Sequence, residues 1–335
     1  MKKLFCILFF PIIFLSCKKN NTTEPAGPDV YVAGVDNNGT RYVAKLWKNG
    51  VAVNLTDGTK TSAAWSVYVS GTDVYVAGYE NNGTTDVAKL WKNGVATSLT
   101  NGTFRANASS VFVLGADVYV AGFEFNGTAE VAKIWKNGIA TALTNGVNDA
   151  QGMSVFVSGT DVYVSGFESG GPTSGIYAKI WKNGVPTILP GSNIQTKAKS
   201  VVVSGTDVYA AGYDYNGFMD VAKLWKNGVA TTLTSGSIRA AGNSVYVAGT
   251  DVYVAGSEHN GTRDQVKIWK NGNGIYLNSV TNSSAAASIA LSGNDVYIAG
   301  FEKQVGYVPK VWKNGVATAL PYAAYDGYAQ SIFLK

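Results

Sequence analysis

Residues 66–100 read SVYVSGTDVYVAGYENNGTTDVAKLWKNGVATSLT, four short runs rich in Val, Tyr and Trp separated by turn signals. Such a pattern predicts four antiparallel strands, at residues 66–70, 73–80, 87–92 and 95–100. The first turn is SGTD. The last is Lys-Asn-Gly, where Asn93-Gly94 accepts the positive φ angles of a type I′ hairpin. The second strand is apolar on nearly every residue, Val74-Tyr75-Val76-Ala77-Gly78-Tyr79, so both of its faces are expected to be buried. A sheet packed between two neighbouring sheets satisfies that; a half-solvated sheet does not. Pro186, Pro190 and Pro321 fall in or just after the fourth strand of their copies, which places that strand at an outer edge.

The same unit recurs along the chain. WKNG occurs with Trp at 47, 91, 135, 181, 225, 269 and 312, and an Asp-Val-Tyr triplet begins at 29, 73, 117, 161, 207, 251 and 295. Each Trp is followed by the next Asp after 26 residues, in all six cases, so length varies only between an Asp and its own Trp. Repeats of this length with four strands each resemble β-propeller blades. The first copy begins at its second strand, and Ser331-Ile332-Phe333-Leu334-Lys335 is a first strand with no second to follow. Ser331 lies 19 residues after Trp312, the offset of Ser66 after Trp47. The expectation is an all-β, seven-bladed propeller over residues 27–335, its ring closed by the C-terminal strand.

The start of the chain reads as an address. Lys2 and Lys3 precede an apolar stretch, residues 4–15, that is too short for the ~20 residues of a membrane span and suits an export signal. It closes with Phe14-Leu15-Ser16-Cys17, which resembles the lipobox of bacterial lipoproteins. That resemblance implies a signal peptide over 1–16, a lipid on Cys17 as the mature N-terminus, and a flexible tether over 17–26. It also implies a protein held at a membrane of the cell envelope. Lys18, in place of the Asp of many inner-membrane lipoproteins, favours the outer membrane, with the leaflet open. Cys6 would leave with the signal, so no disulfide can form and the ring must be held by its core.

Composition narrows function by exclusion. The net charge of +5 includes +3 within residues 1–26; the remainder carries 23 basic against 21 acidic side chains. No basic footprint for nucleic acid is left. His259 is the only histidine, so His-based triads and polyhistidine zinc sites are excluded. Asp36-Asn37-Asn38-Gly39 does not complete a calcium loop, and Asn-Gly in these loops reads as turn chemistry. An acid ends the second strand of every copy (Asp36, Glu80, Glu124, Glu168, Asp214, Glu258, Glu302), and a Lys stands two before every WKNG Trp. Catalysis needs groups with differing pKa values, whereas seven equal copies point to inter-strand or inter-blade ion pairs. The seven Trp read as blade-to-blade core, with a sugar-stacking row as the competing reading. Neither catalysis, a cofactor nor a metal is expected.

Binding remains. The two tight turns, SGTD and KNG, are nearly uniform on one face, the bottom. The loops of the opposite face vary. The loops before the first strands hold Trp65, Arg105, Asn148, Asp149, Gln151, Lys197, Lys199, Arg239 and Tyr325; those after the second hold His259 and Arg263. Mixed aromatics with Arg and Asn suit a protein or glycan surface. The sequence therefore reads as a lipid-anchored binding or scaffold propeller, the alternative being a carbohydrate-active propeller, either a lectin or a weak glycan hydrolase.

Overall fold

The computed structural model describes residues 27–170, 174–192, 194–277 and 282–335; the expected signal peptide, Cys17 and the tether lie outside the described residues. Twenty-eight strands, numbered β1 to β28 in chain order, form seven four-stranded antiparallel sheets, and no helix occurs among the described residues. The chain is a seven-bladed β-propeller. In blade 2 the order from the axis outward is β4 (Ser62–Ser70), β5 (Asp73–Asn81), β6 (Asp86–Lys92) and β7 (Val95–Ser98). Blade 1 joins the two ends of the chain, in the order β28 (Gly327–Leu334), β1 (Val30–Asn37), β2 (Tyr42–Lys48) and β3 (Val51–Asn54). Val30 pairs with Leu334, and the backbones of Asp29 and Lys335 exchange hydrogen bonds of 2.8 and 3.0 Å.

The core lies between blades. The clusters join the middle strands of one blade to the first three strands of the next, as when Tyr31, Ala33 and Ala44 pack on Val67, Val76 and Trp91. All seven WKNG tryptophans are 0–1% exposed, which decides for core packing over sugar stacking at those positions. Burying an indole removes a large apolar surface from water, and seven such wedges hold the sheets together. The outer strands, such as β7 and β15 (Val185–Ile188), are exposed, and Pro186 sits on such an edge.

One boundary differs from the sequence reading. The inner strands begin four residues earlier than Ser66 and its equivalents, because each is broken by a β-bulge that hides the alternation. Ala64 pairs with Gly78 and Ser66 with Ala77, leaving Trp65 unpaired. The bulge explains the glycine of every second strand: a Cβ on Gly78 would stand 1.9 Å from the carbonyl oxygen of Ala63.

Candidate functional site

The bottom face is built from one device repeated seven times. In blade 2, Lys92 Nζ lies 2.7 Å from Asp73, and Asn93 donates its amide to the same carboxylate at 2.8 Å. Asn93 Oδ1 accepts the N–H of Val74 at 2.8 Å, and its backbone takes a φ of 52° in the tight turn. The motifs WKNG and Asp-Val-Tyr are thus two halves of one clamp. The Lys92 hydrogen bond, then that of Asn93, holds the Asp73 carboxyl below its ordinary range.

A second set of pairs crosses each sheet nearer the top. Asp36 meets Lys45 at 2.7 Å and Glu302 meets Lys310 at 2.5 Å, while Glu124 meets Lys133, Glu168 meets Lys179 and Glu258 meets Lys267. Burial pushes the Glu302 carboxyl up, but Lys310 and Asn282 together outweigh it and hold the group down. These pairs lie within blades, between second and third strands.

The axis is lined by the inner strands in three tiers. Lowest is a collar in which the rings of Phe333, Tyr68, Phe112 and Phe156 follow one another at 4.8–4.9 Å between centroids. Above it runs a circle of serines: the Oγ atoms of Ser66, Ser110, Ser154, Ser200, Ser244, Ser288 and Ser331 each accept a backbone N–H from the next blade, at 3.1–3.3 Å. Above the serines stand the bulge residues: Trp65, Ser109, Met153, Lys199, Asn243, Ala287 and Gln330. Their neighbours are Ala or Gly on one side and Ser on the other in every blade; the bulge residue itself never repeats. A bulge re-aims a side chain, so the fold offers seven independently chosen groups around the top of the channel.

The sequence-derived candidates divide under this geometry. Trp65, Gln151, Lys197 and Lys199 are not in loops, as the sequence reading had them, but on inner strands. His259 is likewise in a strand, the last residue of β21 (Asp251–His259), paired with Asp264. Trp65 lines a pocket of about 310 Å³ with Val35, Tyr42, Tyr79, Tyr328 and Gln330, and its indole N–H is buried with no partner among the described residues. Tyr328, which the sequence reading missed, also borders a second pocket of about 400 Å³ with Asp264, Lys303 and Tyr307. Its ring stands 5.0 Å from Phe301 and from Tyr307, and burial raises its phenol well above the ordinary value.

The other candidates are engaged locally. Arg105 pairs with Glu130 at 2.7 Å beneath the rings of Phe123 and Phe125, and Arg239 pairs with Asp264 at 2.6 Å. Asp149 accepts the N–H of Glu130 at 2.8 Å, a loop-fixing role, while Asn148 abuts Gly170. His259 accepts the N–H of Gly261 at 3.2 Å, Arg263 continues the turn closed by Asn260, and Tyr325 covers Gly39 with its ring 59% exposed. The Asn-Gly-Thr loops are asparagine turns, as when Asn82 Oδ1 accepts the N–H groups of Thr84 and Thr85 at 2.9 and 3.0 Å.

No family model matches the sequence, and no curated protein does. Among solved structures, 271 chains match. One is a puromycin-hydrolyzing peptidase of Mycobacterium tuberculosis, with a TM-score of 0.59 at 11% identity over 89% of this chain. The match spans 53% of that peptidase, about half its length, and it shows the propeller fold alone.

Two lysines of β16 (Thr196–Ser204) differ from the paired ones. Lys197 Nζ lies 4.0 Å from the centre of the Phe167 ring, and burial holds its ammonium below the ordinary value. Lys199 donates to Asn243 Oδ1 at 2.8 Å and faces the Tyr213 ring at 5.2 Å; burial pushes its pKa down to about 8. Among the described residues neither has a carboxylate within ion-pair distance, whereas all fourteen lysines of the two repeated pair sets do.

Proposed function

We propose that this chain is a non-catalytic binding or scaffold propeller, anchored to a bacterial envelope membrane through lipid on Cys17, with its ligand at the top of the ring. One observation carries the reading: the seven copies share a single clamp at the bottom, while the bulge residues at the mouth of the channel differ in all seven. Repeats that must only pack have no reason to diverge at one position flanked by constant ones. The tether enters at β1 on the clamp side, so a lipid on Cys17 turns the varied mouth away from the membrane. A non-enzymatic role is supported by three acids of the mouth, Glu130, Asp264 and Asp149, which serve Arg105, Arg239 and the backbone. The near balance of charge outside residues 1–26 supports the absence of a nucleic-acid partner.

The lectin alternative is favoured by one feature, the pocket of Trp65, Tyr42, Tyr79 and Tyr328 with its unpartnered indole N–H. An affinity capture from envelope extract tests the binding role, and a glycan array run beside it separates the classes. A protein scaffold leaves the array silent; a lectin does not. Capture that survives replacement of Trp65, Lys197 and Lys199 together by Ala would overturn the assignment of the mouth. Cys17→Ala should move the protein from the membrane to the soluble fraction, and unchanged fractionation would remove the anchor.

A further inference from the structure

We infer that the upper channel binds a carboxylate-bearing ring compound such as a uronic-acid sugar, its anion between Lys197 and Lys199 and its ring against the Trp65 pocket. The inference rests on the reading of the varied mouth as the ligand face and names what that face takes.

The argument begins with charge. Lys197 and Lys199 are two cations on one short stretch of β16 (Thr196–Ser204). Lys199 is the bulge residue of its blade, and its ammonium reaches Asn243, the bulge residue of the next blade. A buried cation normally lies beside a carboxylate, and elsewhere in this ring it does. Here the nearest influences are aromatic rings, one amide oxygen, and the more distant fields of Glu130 and Asp220. Glu130 is already held by Arg105 and by Gln151 Nε2 at 2.5 Å. The amide of Asn243 is fixed by its own bond to the Ala286 carbonyl at 2.7 Å, so its oxygen stays turned to Lys199. That leaves the ammonium further donors for an incoming oxyanion.

The second half of the argument is position. In a closed ring of seven, blade 5, which carries the two lysines, stands opposite the boundary of blades 1 and 2. That boundary is where Trp65, Tyr42, Tyr79 and Tyr328 form their pocket. The mouth is therefore polar in the plane of the ring, cationic on one side and aromatic on the other. Below, the serine circle and the aromatic collar offer no charged group. A ligand matched to this cup carries an anion at one end and, at the other, a ring face that packs on the aromatic wall.

The experiment titrates the full chain with glucuronate, glucose, acetate and inorganic phosphate, following melting temperature and calorimetric affinity. Glucuronate should bind at least tenfold more tightly than glucose, with acetate weaker than glucuronate. Lys199→Met should weaken glucuronate tenfold or more and, without ligand, should melt no lower than the parent, since it removes an unpaired buried charge. Trp65→Ala should narrow the gap between glucuronate and acetate. Lys226→Met, an equal charge change on the bottom face, should leave affinity unchanged. The inference is overturned if glucuronate and glucose bind alike, if no carboxylate binds, if phosphate binds more tightly than glucuronate, or if Lys199→Met binds undiminished. Glucose binding that depends on Trp65 but not on Lys199 would sink the carboxylate while leaving the mouth as the ligand face.

Discussion

The Oγ of Ser331 accepts the backbone N–H of Val67 at 3.2 Å, joining residues 264 positions apart. The bond is one of seven equal links around the axis, and it ties the C-terminal strand β28 to β4 of blade 2. Ile332 supplies the neighbouring link by donating its N–H to Ser288 at 3.2 Å. The C-terminal strand is thus a full member of the ring.

Deleting residues 331–335 removes two links of the circle and most of the pairing of β1 with β28, exposing a strand edge inside the ring. The truncated protein should melt far lower or fail to express in soluble form. Ser331→Ala should be milder, about 0.5–1.5 kcal/mol, as for one hydrogen bond. Circular dichroism melts of the two variants check both, and an unchanged truncation would contradict the closed ring.

The bottom clamps set an acid limit on stability. Lys92 and then Asn93 hold the Asp73 carboxyl below its unfolded value, and the equivalent Asp of every blade is lowered likewise. A group with a depressed folded pKa stabilises above its unfolded pKa, about 4, and loses that contribution as pH falls through the folded value. Melting temperature should therefore fall as pH drops below about 4. The gap between the parent and Asp73→Asn, measured from pH 7 to pH 2, should close at the acid end. A gap independent of pH would mean that the clamp is not ionic.

The paired acids of the second strands should behave as structural groups. Glu124→Gln leaves Lys133 without its carboxylate and should cost about 1–3 kcal/mol in denaturant melts, with ligand affinity at the mouth unchanged. Full stability with lost binding would give Glu124 a role that its geometry does not suggest.

Two blades show how the interfaces could be improved. The indole N–H groups of Trp225 and Trp47 donate to the carbonyls of Pro190 and Pro321 at 2.9 and 2.8 Å. At the place equivalent to Pro190, the preceding blade has Thr144, and both its hydroxyl and the Trp181 N–H are buried without partners among the described residues. Thr144→Pro should remove one orphan and direct a carbonyl to the other, stabilising by about 1–2 kcal/mol. A lower melting temperature would show that the neighbouring loop, rather than the proline, places the carbonyl.

Blade number and ring closure are legible in the spacing of the WKNG and Asp-Val-Tyr copies, the outer edge in its prolines, and the tight turns in Asn93-Gly94 and its equivalents, which take positive φ angles. The inner half of the first strands was not. An unpaired residue at 65 shifts the alternation by one, so Ala63-Ala64-Trp65 runs out of phase with Ser66-Val67-Tyr68 and reads as loop. The candidate site suffered accordingly. Trp65, Lys197 and Lys199 read as residues of varied loops, and the inner strands that gather them stay hidden. Arg105 and Arg239 read as free because Glu130 and Asp264, each 25 residues further on, lie on other strands. The signal in the sequence is a position that varies in all seven copies between a small residue and a serine.

The WKNG clamp also bears on how the protein ages. Asparagine followed by glycine is the pair most prone to deamidation, in which the glycine nitrogen attacks the side-chain carbonyl, and this chain carries seven such pairs in its bottom turns. In each turn the amide is tied at both ends: Asn49, for example, accepts the N–H of Val30 at 2.8 Å and donates to Asp29 at 2.7 Å. Both bonds must break before the carbonyl can be attacked. An aspartate lost from one clamp would release the asparagine beside it, so chemical wear in the ring should begin where a clamp has already failed.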